Sequence, residues 1–131
     1  MRDLLELNPT SWKSEGLSAE TQQFIRQHRH QATTATAGFA LFWLARNSLL
    51  FGQDHPDLIS LHYADLVDHP QAALSLLSKH IDLDLDPRYA EFPQRRERRK
   101  ELPDPIPPVL LEACEDMMAR LKARSASLAG N

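Results

Sequence analysis

The chain has 131 residues, of which 42% are hydrophobic and 25% charged, and its formal net charge is −3 at pH 7. That balance describes one small soluble domain and excludes a disordered chain or one held to nucleic acid by bulk electrostatics. A single cysteine, Cys114, excludes an internal disulfide and a cysteine-based zinc site.

At the start, Leu4, Leu5 and Leu7 suit one helical turn, which Asn8-Pro9 stops, and Trp12 falls in a polar loop. Ser18 is a good N-cap for a helix running from Thr21 to His30. Thr33, Thr34 and Thr36 lower helical propensity without forbidding continuation, and Gly38 marks a kink or a close helix crossing. From Phe39 to Phe51 the spacing predicts a strongly buried helix, with Phe39, Phe42, Trp43, Arg46, Leu49 and Leu50 on its inner face. Gly52 is its expected C-cap, with Pro56 just beyond.

Asp57 to His62 is the best strand in the chain, short, apolar at Leu58, Ile59 and Leu61, and bounded by turn residues. It reads as a buried parallel strand, yet no second strand of equal quality is there to pair with it. Asp68-His69-Pro70 then opens a helix whose face is Ala73, Leu74, Leu76, Leu77, His80 and Ile81, and which ends over Asp82 to Pro87. The last helix is expected from Val109 to about Ser125, with Val109, Leu110, Ala113, Met117, Leu121 and Leu128 as its apolar stripe. Three regions result: 1–87, a Pro-rich charged linker over 88–108, and an amphipathic helix in 109–131.

The order from Trp43 to Leu83 carries a resemblance. A Trp-bearing helix precedes the strand Leu58-Ile59-Ser60-Leu61-His62, which runs into Tyr63-Ala64-Asp65-Leu66-Val67-Asp68-His69-Pro70 and then a helix ending at Ile81-Asp82-Leu83. This resembles the C-terminal region of sulfotransferases, where a strand runs into Tyr-Glu-Asp-Leu, an acidic spacer, a Pro and a helix. Ala64 stands where that family has Glu, and Lys79-His80-Ile81-Asp82-Leu83 replaces its Phe-Leu-Gly-Leu turn. The resemblance implies an α/β fold of P-loop type, of which this mostly helical chain is the C-terminal part. It implies the donor 3′-phosphoadenosine 5′-phosphosulfate, with the ring of Tyr63 against its adenine. The residues alone equally allow Tyr63 to pack at a strand end with its hydroxyl bonded locally. Asp65, Leu66 and Pro70 complete the motif in structural roles, and Asp65 is placed to accept orphan backbone N–H groups.

The phosphate-binding half of such a site has no counterpart in the sequence. The glycines are Gly16, Gly38, Gly52 and Gly130, and none belongs to a strand–loop–Lys-Ser/Thr unit. Thr33-Thr34-Ala35-Thr36-Ala37-Gly38 has hydroxyls but neither a Lys nor a preceding strand. Arg99-Lys100 resembles the Arg-Lys-Gly element that some sulfotransferases place at the 3′-phosphate, but Glu101 takes the position of Gly, and a solvated linker accounts for the run better. No catalytic residue is therefore expected, and the chain alone is expected to be inactive. His28 and His30 point to different sides of a helix, and His55, His62, His69 and His80 lack carboxylates at ligand spacing, so no metal is expected. The N-terminus has no apolar core of a secretory signal and Ala37 to Phe51 is too interrupted to span a membrane, which makes a cytoplasmic location the expectation. The expected partners are a missing N-terminal half or a second copy covering exposed apolar surface, with neither nucleic acid nor membrane. The rival reading is a small, mostly helical interaction module that docks through the 109–128 helix.

Overall fold

The computed structural model describes residues 1–52, 57–94, 101 and 103–126. The chain forms two compact units, Met1–Asp54 with Lys100–Arg120, and His55–Arg99 with Leu121–Asn131. Among the described residues the regular structure is helical: α1 (Arg2–Leu5), α2 (Ala19–His28), α3 (Ala35–Ser48), α4 (Tyr63–Asp68), α5 (Pro70–Ile81) and α6 (Pro108–Arg124). Short 3-10 turns occupy Arg29–Gln31, Leu49–Phe51 and Pro87–Glu91. The charge run Arg95 to Lys100, together with Pro56 and Leu128, lies outside the described residues.

In the first unit the helices begin where side chains satisfy orphan donors. Ser18 Oγ accepts from Thr21 N–H at 3.1 Å and starts α2. Thr34 Oγ1 accepts from Ala37 N–H at 3.2 Å and starts α3. The threonine run thus separates two helices, because a Thr hydroxyl at the right place is a better cap than an interior residue. Gly16, at φ +76°, makes the left-handed turn that leads into α2. Gly38 marks a close approach: a Cβ there would stand 3.2 Å from Met1 Cγ.

The buried face of α3 differs from the expected one. Ala37, Ala40, Leu41, Leu44 and Ala45 are buried, whereas Phe39 is 64% exposed and Phe42 and Trp43 are half-buried. Small residues let neighbouring segments come close to the helix axis, and the bulky rings are displaced to its flank. One apolar cluster joins Leu4, Leu17, Ile25 and Ala45, with Leu7, Phe42 and Leu49 packed against it. Another joins Ala37, Leu41 and Leu110, flanked by Leu5, Phe24, Ile106 and Val109, so α6 supplies part of the core. Each fully buried Leu contributes about 1.5–3 kcal/mol relative to exposure. Arg46 ties the loop before α2 to α3: its guanidinium donates to the Trp12 carbonyl at 2.8 Å and lies 5.5 Å from the Trp12 ring centre, while Phe42 meets that ring edge-on at 5.8 Å.

The second unit corrects the expected strand. Residues 58–62 form neither helix nor strand, though His62 is extended (φ −76°, ψ 133°). A strand exists only with a partner of matching length, and among the described residues there is none. The Ser60 carbonyl accepts instead from Ala126 N–H at 3.0 Å. The helix opened by Pro70 forms as expected, with Pro70 in its first turn where the missing N–H costs nothing. It ends at Asp82 in the left-handed conformation (φ 53°), with Asp82 N–H bonded to the Ser78 carbonyl and Leu83 N–H to the same oxygen at 3.1 Å. The His80 ring nitrogen Nε2 donates to the Asp57 carbonyl, 2.8 Å away. The buried apolar side chains of the second unit are small, Ala73 and Ala90, while Leu58, Tyr63, Ile81, Leu83, Tyr89 and Phe92 are exposed.

Candidate functional site

The residues singled out from the sequence fall in the second unit and divide into two pairs. Leu66 and Pro70 meet in a shallow groove of about 250 Å³, lined also by Leu74, Leu77, Leu85, Tyr89 and Pro93. The groove forms where α4 and α5 meet, Leu66 coming from α4, and Pro70, Leu74 and Leu77 recurring at helical steps along α5. Tyr63 and Asp65 are outside it. Tyr63 is the first residue of α4 and 62% exposed, so it stands at a helix start and not at the end of a strand. Asp65 lies in the first turn of α4, where its charge favours the helix dipole, and its backbone carbonyl accepts from His69 N–H at 2.8 Å. No side chain caps α4 or α5. A carboxylate that does cap is Asp86, which accepts from Arg88 N–H at 2.9 Å and pairs with the Arg88 guanidinium. The Arg88 side chain and, after it, its backbone N–H hold the Asp86 carboxyl below its ordinary range.

A larger concavity lies in the first unit, where nothing in the sequence pointed. It is a cleft of about 750 Å³ walled by three elements. Ser18, Glu20, Thr21 and Phe24 come from the start of α2, Leu44, Ser48, Leu49, Phe51 and Gly52 from the end of α3 and the turn after it, and Ala113, Asp116, Met117 and Arg120 from α6. Leu44 and Met117 are buried and Phe24 is half-buried, so the floor is apolar and the rim polar. The Arg120 guanidinium lies over the Phe51 ring, 4.1 Å from its centre, a cation–π contact worth about 0.5–1 kcal/mol at an exposed site. Phe51 and Arg120 are remote in sequence, and no motif joins them. The only signal was the four-residue step from Asp116 to Arg120 on α6, which by itself describes any solvated helix.

Cys114 is half-buried, and burial, then the neighbouring Glu115 carboxylate, push its thiol above the ordinary range. Among the described residues no three His, Cys, Asp or Glu side chains gather as a metal site would need, and no helix is long and apolar enough to cross a membrane. Compared with known proteins, the chain matches no family model, no curated protein and no solved structure.

Proposed function

We propose that the chain is the nucleotide-side, C-terminal part of a sulfotransferase-type protein, whose whole would pass a sulfuryl group from 3′-phosphoadenosine 5′-phosphosulfate to a hydroxyl or amine. The observation that carries this reading is the order of local conformations over 58–82. A non-helical apolar segment extended at His62 leads without a break into the helix of Tyr63 to Asp68, then a Pro70-started helix closed by a left-handed residue. The two helices and the Pro between them follow the order of the motif the sequence resembles, while the strand that opens that motif does not form among the described residues. The exposed Leu58 supports the reading further, since a sheet laid beside 58–62 would cover that side chain. On this reading Tyr63 offers its ring face to adenine, and the groups that grip the phosphosulfate come from another segment or chain. The chain alone binds the nucleotide weakly and turns nothing over.

Two measurements test this together. Intact mass and terminal peptides of the protein made by its source cells would reveal any preceding segment with a phosphate-binding loop. Titration of the labelled chain with adenosine 3′,5′-bisphosphate is expected to shift the amides of Tyr63 to Leu66, and Tyr63→Ala to abolish the shift. A native mass of 14.9 kDa with no shift at Tyr63 overturns the reading.

A second reading, an interaction module docking through α6, is favoured by one observation: Leu111 and Met118, seven residues apart on that helix, are 43% and 44% exposed. Because Leu110 and Met117 belong to the core, removing α6 would unfold the first unit and decide nothing. Leu111→Asp with Met118→Asp leaves the core intact. Loss of a co-purifying partner, with an unchanged melt, would support docking; an unchanged partner profile would end it.

A further inference from the structure

The cleft of the first unit has the size of a small-molecule site and is open to solvent on one side. Its volume of about 750 Å³ lies within the roughly 300–1,000 Å³ of ligand pockets, and meeting points of helices are common places for them. The floor of Phe24, Leu44 and Met117 offers an apolar bed, and Glu20, Asp116 and Arg120 bring the charges that line it.

Asp116 precedes Arg120 by one helical turn, the spacing at which the two would neutralise each other. They make no ion pair among the described residues, and the guanidinium lies instead on the Phe51 ring. The arginine is therefore turned to an aromatic face, and the Asp116 carboxylate is left for another cation. Glu20, on the opposite wall, also makes no ion pair among the described residues. Two helix ends also border the cleft, the start of α2 and the end of α3, carrying partial charges of about +0.5 and −0.5 that offset each other. Two carboxylates against one guanidinium leave the rim negative. A carboxylate ligand would meet that excess, while a neutral one would leave the carboxylates to water.

We propose that this cleft binds a small amphipathic amine, its apolar body on Phe24, Leu44 and Met117 and its ammonium between Glu20 and Asp116. The class is a primary or secondary amine on an aromatic or aliphatic body. This site is independent of the nucleotide reading, as it uses none of the residues from Tyr63 to Pro70.

Three probes of one shape and different charge decide the matter: 2-phenylethylamine, 2-phenylethanol and phenylacetate, each titrated into the ¹⁵N-labelled chain. The amine is expected to bind in the millimolar range, as suits so small a body. Its shifts should be confined to residues 16–24, 44–52 and 113–120. It should bind about tenfold more tightly than the alcohol, and phenylacetate should bind least. Glu20→Gln with Asp116→Asn should bring the amine down to the level of the alcohol, while Arg120→Gln should tighten the amine. These opposite effects separate charge from misfolding, and thermal melts of each variant confirm the fold. Equal binding of amine and alcohol, preference for phenylacetate, shifts elsewhere, or no binding of any probe would each overturn the proposal.

Discussion

Leu41 and Phe39 are two positions apart on α3, and the structure gives them opposite fates. Leu41 is 0% exposed and packs with Ala37 and Leu110, whereas Phe39 is 64% exposed. Leu41→Ala removes a buried isobutyl group among neighbours that include alanines, which have little side chain to move into the gap. The cost should therefore fall in the upper part of the range of about 2.7–5 kcal/mol found for such truncations, about 4 kcal/mol. A small unit has a total stability of about 5–10 kcal/mol, so most of it would go. With a urea slope of about 1–1.5 kcal/mol/M, the unfolding midpoint should drop by about 3 M. Phe39→Ala should cost under about 1 kcal/mol, because its ring is largely in water already. Trp12 and Trp43, the chain's two tryptophans, both belong to the first unit, so tryptophan emission follows this transition alone. If Phe39→Ala destabilised more than Leu41→Ala, the inner face of α3 described above would be wrong, and the aromatic face would be the core.

The caps give a second test: Ser18→Ala and Thr34→Ala should each cost about 1 kcal/mol in the same urea assay, while Thr33→Ala should cost little. Backbone handedness gives a third, with opposite signs. Gly16→Ala should destabilise by about 1 kcal/mol, since φ is +76° there even though a Cβ would meet only ordinary contact with Leu49. Asp82→Gly should stabilise α5 by about 0.5 kcal/mol, read as slower exchange of its amides. The fourth concerns pH. Because the Cys114 thiol is held above its ordinary range, its alkylation by iodoacetamide should reach half-maximal rate at a higher pH than that of the unfolded chain. Stability linked to that thiol is full below the unfolded-state pKa and is lost as pH rises through the folded one. An alkylation profile at or below that of the unfolded chain would contradict the burial of Cys114.

Local chemistry was legible in the sequence, and pairing was not. Ser18 could be read as a cap, and Pro70 as a helix start, because each acts on residues within a turn of itself. Thr34 was harder, since three threonines compete for one capping role and only one has the backbone to fill it. On α3 size does not report burial: Phe39, Phe42 and Trp43 repeat at helical steps, but so do Ala37, Leu41, Leu44 and Ala45, and the second set is the buried one. Periodicity finds the helix, and only its neighbours decide which of two apolar faces is inside. The strand at 57–62 failed for a related reason, for a strand is a relation between two segments and one segment cannot announce it. Of the motif residues, Leu66 and Pro70 share a groove with Leu74 and Leu77, which lie on the apolar face expected for the helix after Pro70, whereas the cleft with Phe51 and Arg120 depends on contacts that no local pattern encodes.

The division of the chain bears on how it reaches its native state. The first unit is written in two pieces, with the stretch from His55 to Arg99 lying between them. Its core is complete only when Leu110 from the second piece meets Ala37 and Leu41 from the first. For the first unit, that intervening stretch is simply a loop to be closed. Closure entropy grows slowly with length, so shortening the loop by half would relieve only about 0.6 kcal/mol. The consequence is kinetic: on a ribosome, α1 to α3 emerge and wait with an open apolar face until α6 is made. The helices of 63–81, whose contacts are local, can form during that interval.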